Sequence, residues 1–318
     1  MENMIAVVGL GVMGGEMAKN LLEKGFDVQG FDLSDAARAR FVSRGGRAAT
    51  SLRSAIQGVP IVLTSLPSAS ALHAVSDELT GEALNGCILI DVSTLGLEDK
   101  EFARTNLADK GITMLDCPVS GTGSQAASGD LTVFASGDVA ALDLVRPVLD
   151  AIARQVILAG DFGSGSKLKF IANHLVTIHN AATAEALTLA RKAGIDLHLV
   201  FDALKDSAAT SKMFQIRGPM VIEQRYAPGM RISTYQKDLD IIGTFAVRTG
   251  SPTPLFNICA QLYLAAQGLG HGELDTAAVA MVLETLAGLR EQEGAPSSSE
   301  ELPKQEEARC EGARRGGS

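Results

Sequence analysis

Tryptophan is absent from this 318-residue chain, and aromatic residues make up only 4% of it. Too little stacking surface remains for a base-binding platform. Positive charge is also in short supply. Lys and Arg number 28 against 37 Asp and Glu, a formal net charge of -9, which argues against nucleic acid or an anionic membrane as a partner. The four cysteines (Cys87, Cys117, Cys259, Cys310) stand far apart, with no C-x-x-C pair and no histidine at metal-ligand spacing. Neither a metal site nor a disulfide framework is expected. No apolar run approaches the roughly 20 residues of a membrane span. The N-terminus enters a strand, "MIAVVGLG", without a secretory leader pattern, so a cytoplasmic protein with reduced thiols is expected.

Aliphatic residues are plentiful. Hydrophobic residues reach 46% and charged residues 20%, the balance of a globular chain long enough for two domains. Short apolar runs at 4–8, 27–31, 61–66, 87–92, 113–117, 131–136 and 155–159 read as strands. Most are uniformly apolar, as in a largely parallel sheet covered on both faces. Helical spacing fills the gaps, at 13–24, 35–44, 98–109 and 138–150. The fold class is therefore α/β, a Rossmann-like doubly wound sheet over 1–162. Strand signals then stop. One long helix is expected over 166–193, buried nearly all round, followed by helices near 196–206, 213–225, 233–249 and 254–268. Residues 163–289 form an all-helical C-terminal domain on this reading. The polar, Pro/Gly/Ser-rich stretch 290–318 reads as a disordered tail.

"VVGLGVMGGEMAKNLLEKG" sets Gly9, Gly11 and Gly14 in a G-x-G-x-x-G pattern between strand and helix. Gly9 permits the tight turn, Gly11 the approach of a pyrophosphate, and Gly14 close packing of helix on strand. Leu10, Val12 and Met13 complete the turn, whose helical N–H groups face the anion. Asp32 ends the next strand, near the offset of about 20 residues expected for the acid that binds the ribose hydroxyls. A carboxylate there repels a 2′-phosphate, so NAD is expected over NADP.

"GSGSKLKFIANHL" (163–175) carries two lysines into an apolar helical pattern. At about 100° per residue, Leu168, Ile171, Ala172, Leu175 and His179 cluster as the expected buried stripe. Lys169 falls at the stripe's margin, and Asn173 and Asn180 lie within roughly 40° of it. Lys167 points away and reads as a solvated cation. A lysine against apolar surface has a depressed pKa and exchanges protons near neutrality. Geometry alone leaves this open against a lysine stem snorkelling along the core margin. Asn173 could hold a substrate hydroxyl. In "LDCPVSGTGSQAASGDLTVFASG" (115–137), Ser120, Gly121 and Thr122 offer a hydroxyl and consecutive N–H groups for a substrate carboxylate.

Taken in order, "GLGVMGGEMAKNL", "DCPVSGTGSQAASGDLTVFASG", "GSGSKLKFIANHL" and "STYQKDLDIIG" resemble the β-hydroxyacid dehydrogenase family over about residues 4 to 285. The resemblance implies a homodimer or homotetramer with a helix joining its two domains. It implies Lys169 as the catalytic lysine, Asn173 as the orienting amide, and Ser120 and Gly121 as substrate ligands. Leu66, Pro67 and Thr94 match positions at the nicotinamide end, Lys237 a second lysine reaching the cofactor, and Asp238 the acid beside it. Three departures stand out. Thr122 replaces a usual glycine and is strained if φ is positive. Cys117 replaces alanine, and Met230 replaces a phenylalanine of the substrate wall. The expected activity is hydride transfer between NAD and a small hydroxy acid, L-threonate-like or 3-hydroxyisobutyrate-like. The alternatives are reduction of tartronate or another semialdehyde with NAD(P)H, and a catalytically silent dinucleotide-binding scaffold.

Overall fold

The computed structural model describes residues 3–289, apart from 83 and 85; the tail expected over 290–318 lies outside the described residues. Nine strands form one sheet: β1 Met4–Val8, β2 Asp27–Phe31, β3 Arg47–Ala48, β4 Ile61–Thr64, β5 Ile88–Asp91, β6 Thr113–Asp116, β7 Val119–Ser120, β8 Thr132–Ser136 and β9 Gln155–Gly160. Their order is β3-β2-β1-β4-β5-β6-β8-β7, with β9 beside β8. The run from β3 to β6 is parallel, whereas β8 is antiparallel to β6 and β7. Helices α1 Val12–Glu23, α2 Asp35–Ser43, α3 Leu52–Ile56, α4 Ala69–Thr80, α5 Leu97–Ala108, α6 Gly123–Ala127 and α7 Val139–Ile152 connect the strands.

The alternation of side chains splits the core in two. Ile5, Val7, Ile61, Leu63, Ile88 and Ile90 pack on one side of the sheet. Ala6, Val8, Val62 and Leu89 pack on the other. Both faces are covered, which is why β1, β4 and β5 are apolar except at the last residues of β4 and β5, Thr64 and Asp91. Strand β1 lies between β2 and β4, so the connections diverge there and open a crevice at the carboxyl ends of the strands.

Beyond the sheet the chain is helical: α8 Ser164–Lys192, α9 Leu197–Leu204, α10 Lys212–Ile222, α11 Ile232–Thr249, α12 Pro254–Gly268, a 3-10 turn Thr276–Ala278 and α13 Val279–Leu286. A third core gathers Phe170, Leu187, Tyr235, Ile242, Phe256 and Tyr263. The stretches α3, α4, α6 and α13 go beyond the helices the spacing suggests.

The long helix corrects one expectation. Leu168, Ile171 and Leu175 are 38%, 55% and 48% exposed, so the apolar stripe is not the buried one. The buried face carries Lys169, Asn173, Thr177 and Asn180 with Phe170, Ala184 and Leu187. The cause is satisfaction of polar groups. Thr177 and Asn173 bond Tyr235, and Asn180 bonds Tyr263 and Arg217, all from helices that pack on this side.

Candidate active site

The glycine turn closes tightly on the neighbouring strand. Gly9 has φ +92°, and a Cβ there would lie 2.2 Å from the Ser65 carbonyl oxygen. A Cβ on Gly14 would come within 1.9 Å of the Gly9 carbonyl oxygen, so α1 can sit on the turn only with glycine there. At Gly11 a Cβ would meet no protein atom within 4 Å; packing within the chain does not demand glycine at that point. The adjoining first turn of α1 has no side-chain cap, and Val12 is 73% exposed at its mouth beside half-buried Met13. These features fit a dinucleotide pyrophosphate seated on the helix N-terminus. Asp32 follows β2 and is tied to the turn: its Oδ2 accepts the Leu10 N–H at 2.7 Å and its Oδ1 the Ser34 N–H at 2.8 Å. Each oxygen retains acceptor capacity for a ribose hydroxyl.

The loop after β7 abuts this turn, since a Cβ on Gly123 would lie 2.8 Å from Val12 Cγ1. Ser120 ends β7, and Gly121 has φ +145°. Thr122 has φ -96° and carries no strain. It is the N-cap of α6 in a capping box with Gln125, whose Oε1 accepts the Thr122 N–H at 3.0 Å. The third N–H of the expected cradle has a partner inside the chain. The T-x-x-Q spacing of "TGSQ" is itself the signal for such a box. Cys117 is fully buried, and burial pushes its thiol well above the ordinary range, so it is an inert wall.

Lys169 is 6% exposed, and its ammonium has no hydrogen-bond or ion-pair partner among the described residues. Burial lowers its pKa from 10.5 to about 8; Asp238 opposes that shift and Lys237 adds to it. Lys167 is exposed, as expected. One turn on, Asn173 is buried and its Nδ2 donates to Asp238 Oδ2 at 2.9 Å. Since a carboxylate only accepts, the amide's Oδ1 faces away from Asp238 and remains available as an acceptor.

Helix α11 brings the second half of the site. Lys237 donates to the Thr94 carbonyl at 2.5 Å and lies 3.4 Å from Asp238. This places α11 over the loop after β5. Leu66 is held in the facing loop by Ser93 Oγ at 2.8 Å, next to exposed Pro67. A cavity of about 550 Å³ opens between the two halves, lined in part by Pro67, Leu95, Phe170, Lys237 and Phe245. A second cavity, about 430 Å³, lies between α8, α11 and α12 and contains none of the expected site residues. Met230 is half-buried, and its N–H donates to Asp275 Oδ2 at 2.9 Å. Asp275, which the sequence pattern did not single out, forms a buried pair with Arg217 at 2.9 Å.

Two family models divide the chain between them. The NAD binding domain of 6-phosphogluconate dehydrogenase matches residues 4–160, and the NAD-binding model of NADP-dependent 3-hydroxyisobutyrate dehydrogenase matches 163–283. The L-threonate dehydrogenase of Cupriavidus necator is 35% identical over 283 residues, 88% of this chain and 95% of that protein. The chain belongs to the β-hydroxyacid dehydrogenase family. Like other β-hydroxyacid dehydrogenases, it is an NAD-dependent oxidoreductase of small hydroxy acids. The 3-hydroxyisobutyrate dehydrogenase of Pseudomonas aeruginosa is 34% identical over 269 residues, 81% of this chain and 90% of its own. The crystal structure of a 3-hydroxyisobutyrate dehydrogenase from Salmonella typhimurium superposes with a TM-score of 0.80 at 32% identity, covering 88% of this chain and 99% of that one. Among the described residues no helix is long and apolar enough to cross a membrane.

Proposed function

We propose that this β-hydroxyacid dehydrogenase oxidises a hydroxy acid of the L-threonate class, with Lys169 as its proton carrier. The observation that carries the reading is a lysine, 6% exposed as a residue, whose ammonium has no protein acceptor among the described residues and which lies on the buried face of α8. Bound NAD supplies the hydride acceptor. Ser120 Oγ and the Gly121 N–H hold the substrate carboxylate, and Asn173 Oδ1 orients the reacting hydroxyl. Neutral Lys169 takes the hydroxyl proton, and its protonated form returns one in the reverse direction. The carboxylate of Asp32 favours NAD over NADP by meeting the ribose hydroxyls and repelling a phosphate. Tartronate or another semialdehyde is the expected substrate class if the physiological direction is reduction. Met230 and Asp238 shape the substrate wall. Val12, Met13, Leu66, Pro67, Thr94 and Lys237 line the cofactor.

The division at residues 162 and 163 separates cofactor binding from substrate binding in this reading. The exposed stripe of Leu168, Ile171 and Leu175 supports assembly of a homodimer or homotetramer through α8. The three cysteines among the described residues are buried and free, which suits a reducing cytoplasm. An NAD-reduction screen over L-threonate, D-erythronate, 3-hydroxyisobutyrate, glycerate and 3-hydroxypropionate tests the substrate assignment. L-Threonate should give the highest kcat/KM, and a tenfold preference for 3-hydroxyisobutyrate overturns it.

A further inference from the structure

A fully buried lysine lies outside the proposed chemistry. Lys100 points inward from α5, and its Nζ lies 2.9 Å from Asp91 Oδ2 and 2.7 Å from Asp116 Oδ1. It also donates to the Ser93 carbonyl at 2.8 Å. Desolvation acts to neutralise this ammonium, but the two carboxylates outweigh it and hold the pKa above the ordinary lysine range. Burial works against the Asp116 carboxylate too, yet Lys100 and Ser166 keep it below the usual carboxylate range. One ammonium against two carboxylates leaves a single negative charge in excess, spread over hydroxyl and amide donors.

Each carboxylate reaches a different part of the site. Asp91 accepts the Thr64 hydroxyl at 2.8 Å and the Ser93 hydroxyl at 2.6 Å. Ser93 Oγ in turn accepts the Leu66 N–H, so this arm fixes the loops after β4 and β5. Asp116 accepts the Ser166 N–H at 2.8 Å and the Ser166 hydroxyl at 2.7 Å. The Ser136 hydroxyl also donates to Asp116, at 3.1 Å, and accepts the Gly165 N–H at 3.0 Å. The N-cap of α8 is Gly163, which offers no side-chain acceptor, so the sheet itself caps the helix. Gly165 permits the approach: a Cβ there would lie 2.2 Å from the Phe134 carbonyl oxygen. Lys169 follows Ser166 by three residues, a little under one turn.

We propose that Lys100 is a positioning residue for the reaction, which ties the first turn of α8 to the loops flanking the cofactor and so sets where Lys169 stands. The proposal rests on the reading of Lys169 as proton carrier. Misplacement of a reacting group by about 1 Å can cost on the order of 100-fold in rate. Lys100→Met alone leaves two buried carboxylates without a cation and is expected to fold poorly. Lys100→Met combined with Asp91→Asn keeps the buried excess at one negative charge and is the variant that reads the proposal.

Three measurements on the folded double variant decide it: amide exchange across 165–169, NAD dissociation, and kcat on L-threonate against pH. The expected result is at least tenfold faster exchange across 165–169 and kcat lower by 10- to 100-fold. The NAD dissociation constant should change less than threefold, and the acidic limb of the pH profile, which deprotonation of Lys169 sets in the oxidation direction, should keep its midpoint. Wild-type exchange in this segment with kcat within twofold of the parent overturns the proposal. Lys169→Ala separates the two ideas. Turnover that survives in Lys169→Ala overturns the proton-carrier reading, whereas the exchange rates still report whether Lys100 anchors α8.

Discussion

Asn173 donates its side-chain amide to Asp238 at 2.9 Å, so a helix on the substrate side fixes the orientation of a group one turn beyond Lys169. The same carboxylate acts on the lysine through space, opposing the burial that leaves its pKa at about 8. Asp238→Asn removes that charge and allows the Asn173 amide to turn over. The midpoint assigned to Lys169 in kcat/KM against pH should then move below 8, with a loss of roughly 10-fold or more at the optimum. An unchanged midpoint rules out electrostatic coupling between the two groups.

Burying Lys169 costs stability, and the sign can be worked out. Its folded-state pKa, about 8, lies below the ordinary 10.5. The unfolded chain therefore holds more protons between those values, and stability rises as pH climbs through that window. The penalty is fully present below pH 8 and amounts to on the order of 3 kcal/mol. Lys169→Met should raise the melting temperature at pH 7 while abolishing turnover, and its advantage should shrink toward pH 10.5. Thermal unfolding at several pH values checks this; a variant less stable than the parent at pH 7 contradicts it.

Much of this was legible locally. The glycine turn, Asp32 and the helix between them lie within one β-α-β unit, where each residue's role follows from its immediate neighbours. The face of α8 was not legible in the same way. Amphipathic spacing alone puts Leu168 inside, but the partners of Asn173 and Asn180 on the buried face, Tyr235, Asp238 and Tyr263, lie far along the chain. Lys100 was equally hidden. On α5 it reads as one more charged surface residue, and only the arrival of β5 and β6 surrounds it with Asp91 and Asp116.

In the proposed function, cofactor choice rests on Asp32. Replacing it with serine removes the charge that repels a 2′-phosphate, along with the acceptor of the Leu10 and Ser34 N–H groups. Asp32→Ser should lower kcat/KM for NAD and raise the NADP-to-NAD ratio at least tenfold. Equal losses with both nucleotides would assign Asp32 to the turn alone.

Gln125 sets how many free donors the loop after β7 has for the proposed substrate carboxylate. Its Oε1 occupies the Thr122 N–H, so Gln125→Ala frees a donor for the substrate carboxylate. Losing half of a capping box costs about 1 kcal/mol of stability. The KM for L-threonate should fall severalfold while the melting temperature drops slightly. A raised KM at unchanged kcat would instead make Gln125 a support of the loop.

The most direct test titrates Lys169 itself. Reductive methylation with carbon-13 formaldehyde, followed by carbon-detected titration and assignment through Lys169→Met, reports its pKa without any substrate. A midpoint near 8 is the result expected of a desolvated, unpartnered proton carrier. A midpoint at the ordinary 10.5 would mean a solvated or paired ammonium and contradict the account.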